Sequence, residues 1–343
     1  MNGYVLSTSD ARPKYSKDIL NVLALPQGSK YQFRYENNYI PSDLKHHLAK
    51  NKGILKGVKV LIAFKSKLHE NNFIVPIRWA VLDEIKKISD FYIIKFEIGN
   101  YPVVDAEPSI ESICKKTNDF LCTLNAVDST LPVLKGYENL VNPDDEERNI
   151  DAWVLVSKQL ALHPTFSNVH FLRVSTIRDI EDKSLSLANN FYECKEVSFY
   201  NFYIDYYAIN YVKAETEINI KINSELVRLA SNSVVSLDSR YDSFKTSFQT
   251  YEVPGNSFAE ISIFANCEND QLPKTSVSIP LKIIKSKNLL FLRIIASTLG
   301  ATLLAIPSLL EPTTNKFIKV LLIALGALTL ALGMNLIYPK NKK

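Results

Sequence analysis

Two apolar runs near the C-terminal end constrain this chain more than any other feature. Ile294 to Leu310 is 17 residues without a charge, and Val320 to Tyr338 is 19. A helix rises about 1.5 Å per residue and a hydrocarbon core is about 30 Å thick, so runs of roughly 20 apolar residues read as membrane spans. Leu289 to Leu292 lengthen the first run around Arg293. The segment between the runs, Glu311-Pro312-Thr313-Thr314-Asn315-Lys316, has room only for a tight turn between antiparallel helices. The expectation is a transmembrane α-helical hairpin, against the alternative of a hairpin buried in the core of a large soluble domain.

Lysine and arginine set the expected orientation. Lys282, Lys285, Lys287 and Arg293 precede the first run, and Lys340, Lys342 and Lys343 follow the second, whereas the connection offers Lys316 and Lys319. Short flanks rich in positive charge stay cytoplasmic, so both termini are expected inside. Met1 to Leu20 has no apolar core or small-residue cleavage site of a secretory signal. Cys114, Cys122, Cys194 and Cys267 are scattered without metal-type spacing and read as ordinary thiols.

About 285 residues precede the hairpin, enough for one large or two medium domains. Hydrophobic content of 46% and charged content of 22% are those of a folded chain. The first hundred residues carry 16 Lys and Arg against 9 Asp and Glu, a local net of +7, and the balance turns acidic from Tyr101 to Asp151. The boundary is placed near Asn142-Pro143-Asp144-Asp145, a turn signal inside a charge cluster. The expected fold class is α+β: a basic β-rich domain over 1–141, a second sandwich-like β-rich domain over 142–287, the hairpin over 288–338 and a basic tail over 339–343.

Alternation supports strands at Ser29–Tyr35, Val58–Phe64, Phe73–Leu82 and Phe91–Ile98, with Pro76 implying an edge position or a bulge. Ser42 caps an expected short helix through Leu48. The second part opens at Ile150–Val156, carries a Tyr-rich block from Phe191 to Val212, and shows alternating runs at Glu217–Ile222, Glu260–Phe264 and Ser276–Ile284. The last of these leads almost directly into the first apolar run.

Signals for chemistry are few. There is no Gly-rich phosphate loop, Gly-x-Ser-x-Gly elbow, His-Glu-x-x-His or Cys-x-x-Cys. His46, His47, His163 and His170 are expected as structural or surface residues. No catalytic residue, cofactor or metal ligand is assigned, and an enzyme is not expected. The lysines from Lys45 to Lys67 read as solvated faces more than as a nucleic-acid or phospholipid surface, and the Tyr-rich block reads as core more than as a stacking platform. Arg34 and Arg78, each beside aromatics in a strand, are expected in ion pairs or cation–π contacts more than as anion ligands.

The apolar runs carry small residues at helical spacing: Ala296, Gly300, Ala301 and Ala305 in the first, and Gly326, Ala327, Ala331 and Gly333 in the second. Such faces let helices approach closely in lipid, within the hairpin or between copies. A folded cytoplasmic portion joined to a two-helix hairpin without enzymatic motifs resembles the two-transmembrane effectors of bacterial anti-phage defence, in particular those attached to retrons. The resemblance is carried by the Leu289–Leu310 and Val320–Tyr338 runs and their basic flanks. It implies an inner-membrane protein held in check by a reverse transcriptase–nucleic acid complex or similar partner. Infection would release it to disrupt the bilayer as a homo-oligomer, in abortive infection. The alternative expectation is a membrane-tethered binding or assembly protein whose hairpin is only an anchor.

Overall fold

The computed structural model describes residues 4–9, 11–40, 56–68, 71–102, 146–185, 187–188, 190–209, 216–237, 239–253, 255–267, 273–285, 287–309 and 316–333, with 42, 45 and 46 besides. Of the helix expected after Ser42, residues 42, 45 and 46 are described and are helical. The boundary at 142–145, Cys114, Cys122 and the basic tail lie outside the described residues. Among the described residues strand makes up 46% and helix 29%, so the β-rich expectation agrees with the fold.

The first sheet joins β1 (Tyr4–Thr8), β2 (Lys30–Glu36), β3 (Lys59–Leu68), β4 (Asn71–Ile88) and β5 (Phe91–Ile98) in the order β1-β3-β4-β5-β2. Period-two alternation is visible in the result. Tyr92, Ile94, Phe96 and Ile98 of β5 are buried while the residues between them are not. Pro76 sits in a central strand, not at an edge. The β3–β4 register slips between Ile62 and Ala63, directly opposite Pro76, and this bulge absorbs the residue that lacks an N–H.

Helix α1 (Pro13–Ala24) is one of the pieces that join the two parts of the body. Proline at its start supplies a preset φ where no donor is needed. Ile19, Leu20, Val22 and Leu23 are buried, and the helix packs against both β4 and the second part. Asn21 seals that contact, its Oδ1 accepting from the Ser276 amide at 2.8 Å.

The second part begins with helix α2 (Glu146–Leu160), so the apolar stretch Ile150–Val156 is helical. Two sheets follow. One orders β12 (Val227–Leu229), β14 (Tyr241–Thr250), β10 (Phe199–Tyr207) and β6 (Phe171–Val174), with β7 (Arg178–Asp179) also on β10. The other orders β13 (Val234–Ser236), β11 (Thr216–Ile222), β15 (Ser257–Cys267), β16 (Ser276–Ile284), β9 (Phe191–Lys195) and β8 (Leu187–Ala188). Their buried faces belong to one apolar core, which continues through α1 into the first sheet. Tyr192, Tyr200, Phe202, Tyr206 and Tyr207 of the aromatic block lie in that core, and Phe199 and Tyr203 remain exposed.

Two helices occupy the C-terminal runs, α3 (Lys287–Leu309) and α4 (Lys316–Gly333). No helix among the described residues, however, is long and apolar enough to cross a membrane. This corrects the expected transmembrane hairpin, and with it the two-span inner-membrane location and the cytoplasmic placement of both termini. The charges within the helices give the reason. Arg293 leaves α3 an uncharged stretch of 16 residues, Ile294–Leu309, with Pro307 inside it. After Lys316 and Lys319, α4 has 14 described uncharged residues, Val320–Gly333. At about 1.5 Å per residue these reach about 24 and 21 Å, short of the roughly 30 Å of hydrocarbon. Leu310 and residues 334–338, counted in the sequence runs, lie outside the described residues.

Candidate functional site: an uncovered apolar hairpin

Strand β16 ends at Ile284 and α3 begins at Lys287, so the junction is nearly direct. From there α3 and α4 pack on each other, and among the described residues no element of the body makes more than marginal contact with either. Gly300 and Gly326 set how closely they approach. A Cβ added to Gly300 would fall on the Leu330 backbone, and one added to Gly326 would come within 2.9 Å of the Leu304 amide nitrogen. The carbonyl oxygen of Gly300 itself lies 3.0 Å from that Gly326 position. Here the helices touch backbone to backbone, a contact only glycine permits.

The other small residues divide between the two sides of the hairpin. Ala296 and Ala331 are half-buried, whereas Ala301, Ala305 and Ala327 are exposed. The structure therefore spends Gly300 and Gly326 on the contact within the hairpin and leaves the Ala301–Ala305 face outside. Gly333 ends α4, and its surroundings lie outside the described features.

The outside of the hairpin is apolar almost all round. Phe291, Ile294, Leu299, Leu309, Phe317 and Val320 each show more than half of their surface. Of the 23 large apolar side chains exposed among the described residues, 12 lie on these two helices. Three hydroxyls bond their own helix backbone: Thr302 donates to the Thr298 carbonyl at 2.9 Å, Ser308 to Ala305 at 2.6 Å and Thr329 to Leu325 at 2.9 Å. Burying a large apolar side chain is worth about 1.5–3 kcal/mol. A dozen half-exposed ones thus forgo on the order of 10–20 kcal/mol, comparable with the roughly 5–15 kcal/mol that holds a whole domain together. A surface of this kind is there to be covered.

The remaining candidates of the sequence reading are structural. Arg78 is buried, donates to the carbonyls of Gly99 and Leu25 and to the Tyr101 hydroxyl, and lies 4.0 Å from the Tyr101 ring centre. Arg34 lies over Phe91 at 3.8 Å. His163 is buried among Phe64, Phe73 and Phe166, with its Nδ1 accepting from the Thr165 amide at 3.3 Å. His170 is buried, and burial holds its imidazole below the ordinary value. Cys194 is buried, and burial pushes its thiol up to about 12, away from thiolate chemistry. Arg173 and Asp205 form a buried ion pair between β6 and β10 that period-two reading did not reveal. It could have been found only by knowing that these strands pair.

No protein-family model matches the chain, and no curated relative is detected. Among solved structures, the FixG-related protein from Vibrio parahaemolyticus aligns with a TM-score of 0.23 at 10% identity, over 34% of this chain and 96% of that one. Domains 4 and 5 of the S-layer protein SbsC align at 0.19 and 9% identity, over 33% and 55%. The Bacteroides ovatus GH5 xyloglucanase aligns at 0.18 and 9% identity, over 30% and 19%. Likenesses this slight carry nothing about fold or function.

Proposed function

We propose that this chain is an assembly protein without an enzymatic role, whose β-rich body is gathered into oligomers by its C-terminal hairpin. The observation that carries the reading is an apolar helical hairpin that the described residues of the body leave uncovered. Helices that are apolar all round belong inside something. The described uncharged stretches, 16 and 14 residues, suit the interior of a helical bundle made from several hairpins. The exposed Ala301, Ala305 and Ala327 allow close approach by a second copy. The retron-effector comparison drew its weight from two membrane spans, and neither the fold nor the comparisons replace them.

The test is sedimentation of the full chain beside Ile294→Lys, Val320→Lys and Leu328→Lys. Each places a charge on an exposed apolar position without touching the Gly300–Gly326 contact. The expected outcome is a discrete oligomer for the parent and monomers for the lysine variants. A monomeric parent, or a parent that floats with phospholipid vesicles without self-associating, would sink the proposal.

A further inference from the structure

We infer that the open edge of β2, together with the first turn of α1, is a docking groove for an extended, acidic peptide segment that adds to the first sheet as a further strand. Among the described residues no strand lies beyond β2 in the order β1-β3-β4-β5-β2. The direction of its backbone groups can be read from the ends of the β2–β5 ladder. Ile98 donates to the Ser29 carbonyl at 2.8 Å, and Asn37 donates to the Asp90 carbonyl at 3.0 Å. Antiparallel pairing alternates, so the odd-numbered residues of β2 bond to β5. The amides and carbonyls of Lys30, Gln32, Arg34 and Glu36 then face the open side, which makes a template for a seven-residue partner strand.

The edge is not bare. A groove of about 600 Å³ runs along it, walled on one side by Arg12, Lys14, Tyr15 and Asp18 of α1 and its N-cap, and on the other by Arg34 and Phe91. Its charges settle what it takes. Both acids are already engaged: Glu36 pairs with Arg12 at 3.1 Å, and Asp18 accepts from the Tyr31 hydroxyl at 2.8 Å. Lys14 and Arg34 form no ion pair among the described residues, and Arg34 lies over the Phe91 ring at 3.8 Å, on the groove. A strand added here has one face toward Arg34 and the other toward Lys14, so acidic side chains on either face find a cation. Main-chain bonds supply affinity in this mode of recognition, and side-chain contacts supply selectivity. The groove is independent of the hairpin, so the two readings fail separately.

Fluorescence anisotropy with the full chain and a labelled seven-residue peptide alternating glutamate and valine tests this. Saturable binding is expected, lost when alternate peptide amides are N-methylated and weakened at least about tenfold by Arg34→Glu. Gln32→Pro removes one outward-facing amide at an edge that tolerates proline, and should abolish binding while leaving the circular dichroism spectrum unchanged. Should that variant misfold, Arg34→Glu and the N-methylated peptide still decide the matter. Equal binding of the N-methylated peptide would reduce the groove to a simple ionic contact and overturn the inference. So would equal binding of a lysine–valine peptide, or no binding up to about 1 mM. A change in oligomeric state with Gln32→Pro, without any peptide binding, would reassign the edge to a second copy of this chain and equally overturn it.

Discussion

At the residue scale, the groups that look reactive in sequence are restrained by burial. His170 shows the consequence for pH. An ordinary imidazole titrates near 6.5, and burial lowers this one in the folded chain. The neutral ring is favoured when folded, so the unfolded chain takes up the proton first. The stability tied to the neutral ring is therefore intact above about pH 6.5 and is lost progressively as pH falls toward the lower folded value. Urea midpoints measured at about pH 7.5 and about pH 5.5 should separate further in the parent than in His170→Asn. Identical separations in the two proteins would show that the buried ring has no such cost.

At the element scale, the hairpin depends on one close approach. Because a Cβ on Gly300 would land on the Leu330 backbone, Gly300→Ala must push α3 and α4 apart. Overpacking of this kind costs about 1–3 kcal/mol. Hydrogen exchange at the α3 and α4 amides should accelerate by roughly tenfold to a hundredfold, with the strands of the body unaffected. Ala301→Leu, on the exposed face, should leave exchange within the hairpin near the parent rate. If the two variants exchange alike, the assignment of the two small-residue faces is wrong.

At the scale of the whole molecule, the body behaves as one unit in spite of its two sheet systems. A single apolar core runs from the inner face of the first sheet through α1 into the two sheets of the second part. The Asn21–Ser276 hydrogen bond ties residues 255 positions apart. Each part carries one of the two tryptophans, Trp79 in β4 and Trp153 in α2. In Trp79→Phe and Trp153→Phe variants the remaining tryptophan reports on the other part, and both fluorescence transitions should coincide along a urea titration. Separate midpoints, after correction for each variant's own stability, would mean that the core is divided at α1.

The sequence by itself determined the local periods. Period-two alternation over Phe91–Ile98 and Ser276–Ile284 coincides with β5 and β16, and the C-terminal apolar runs fold as two helices around a short connection. It also showed that Arg34 and Arg78 sit beside aromatics. Local pattern over-read the reach of the helices: the sequence runs counted Leu310 and residues 334–338, beyond the described helices, and gave little weight to the flanking charges. Lys287, Arg293, Lys316 and Lys319 turned out to lie inside them. Only the tertiary structure decided which strands end as edges, since strand order follows from contacts far apart in sequence. The parallel pairings of β1 with β3 and of β9 with β16 leave no trace in any short window. The groove at β2 exists because β5 took one side of that strand and nothing among the described residues took the other. The hairpin's small residues were legible as a motif, yet only backbone contact shows that Gly300 and Gly326 are used inside it and that Ala301 and Ala305 are left outside.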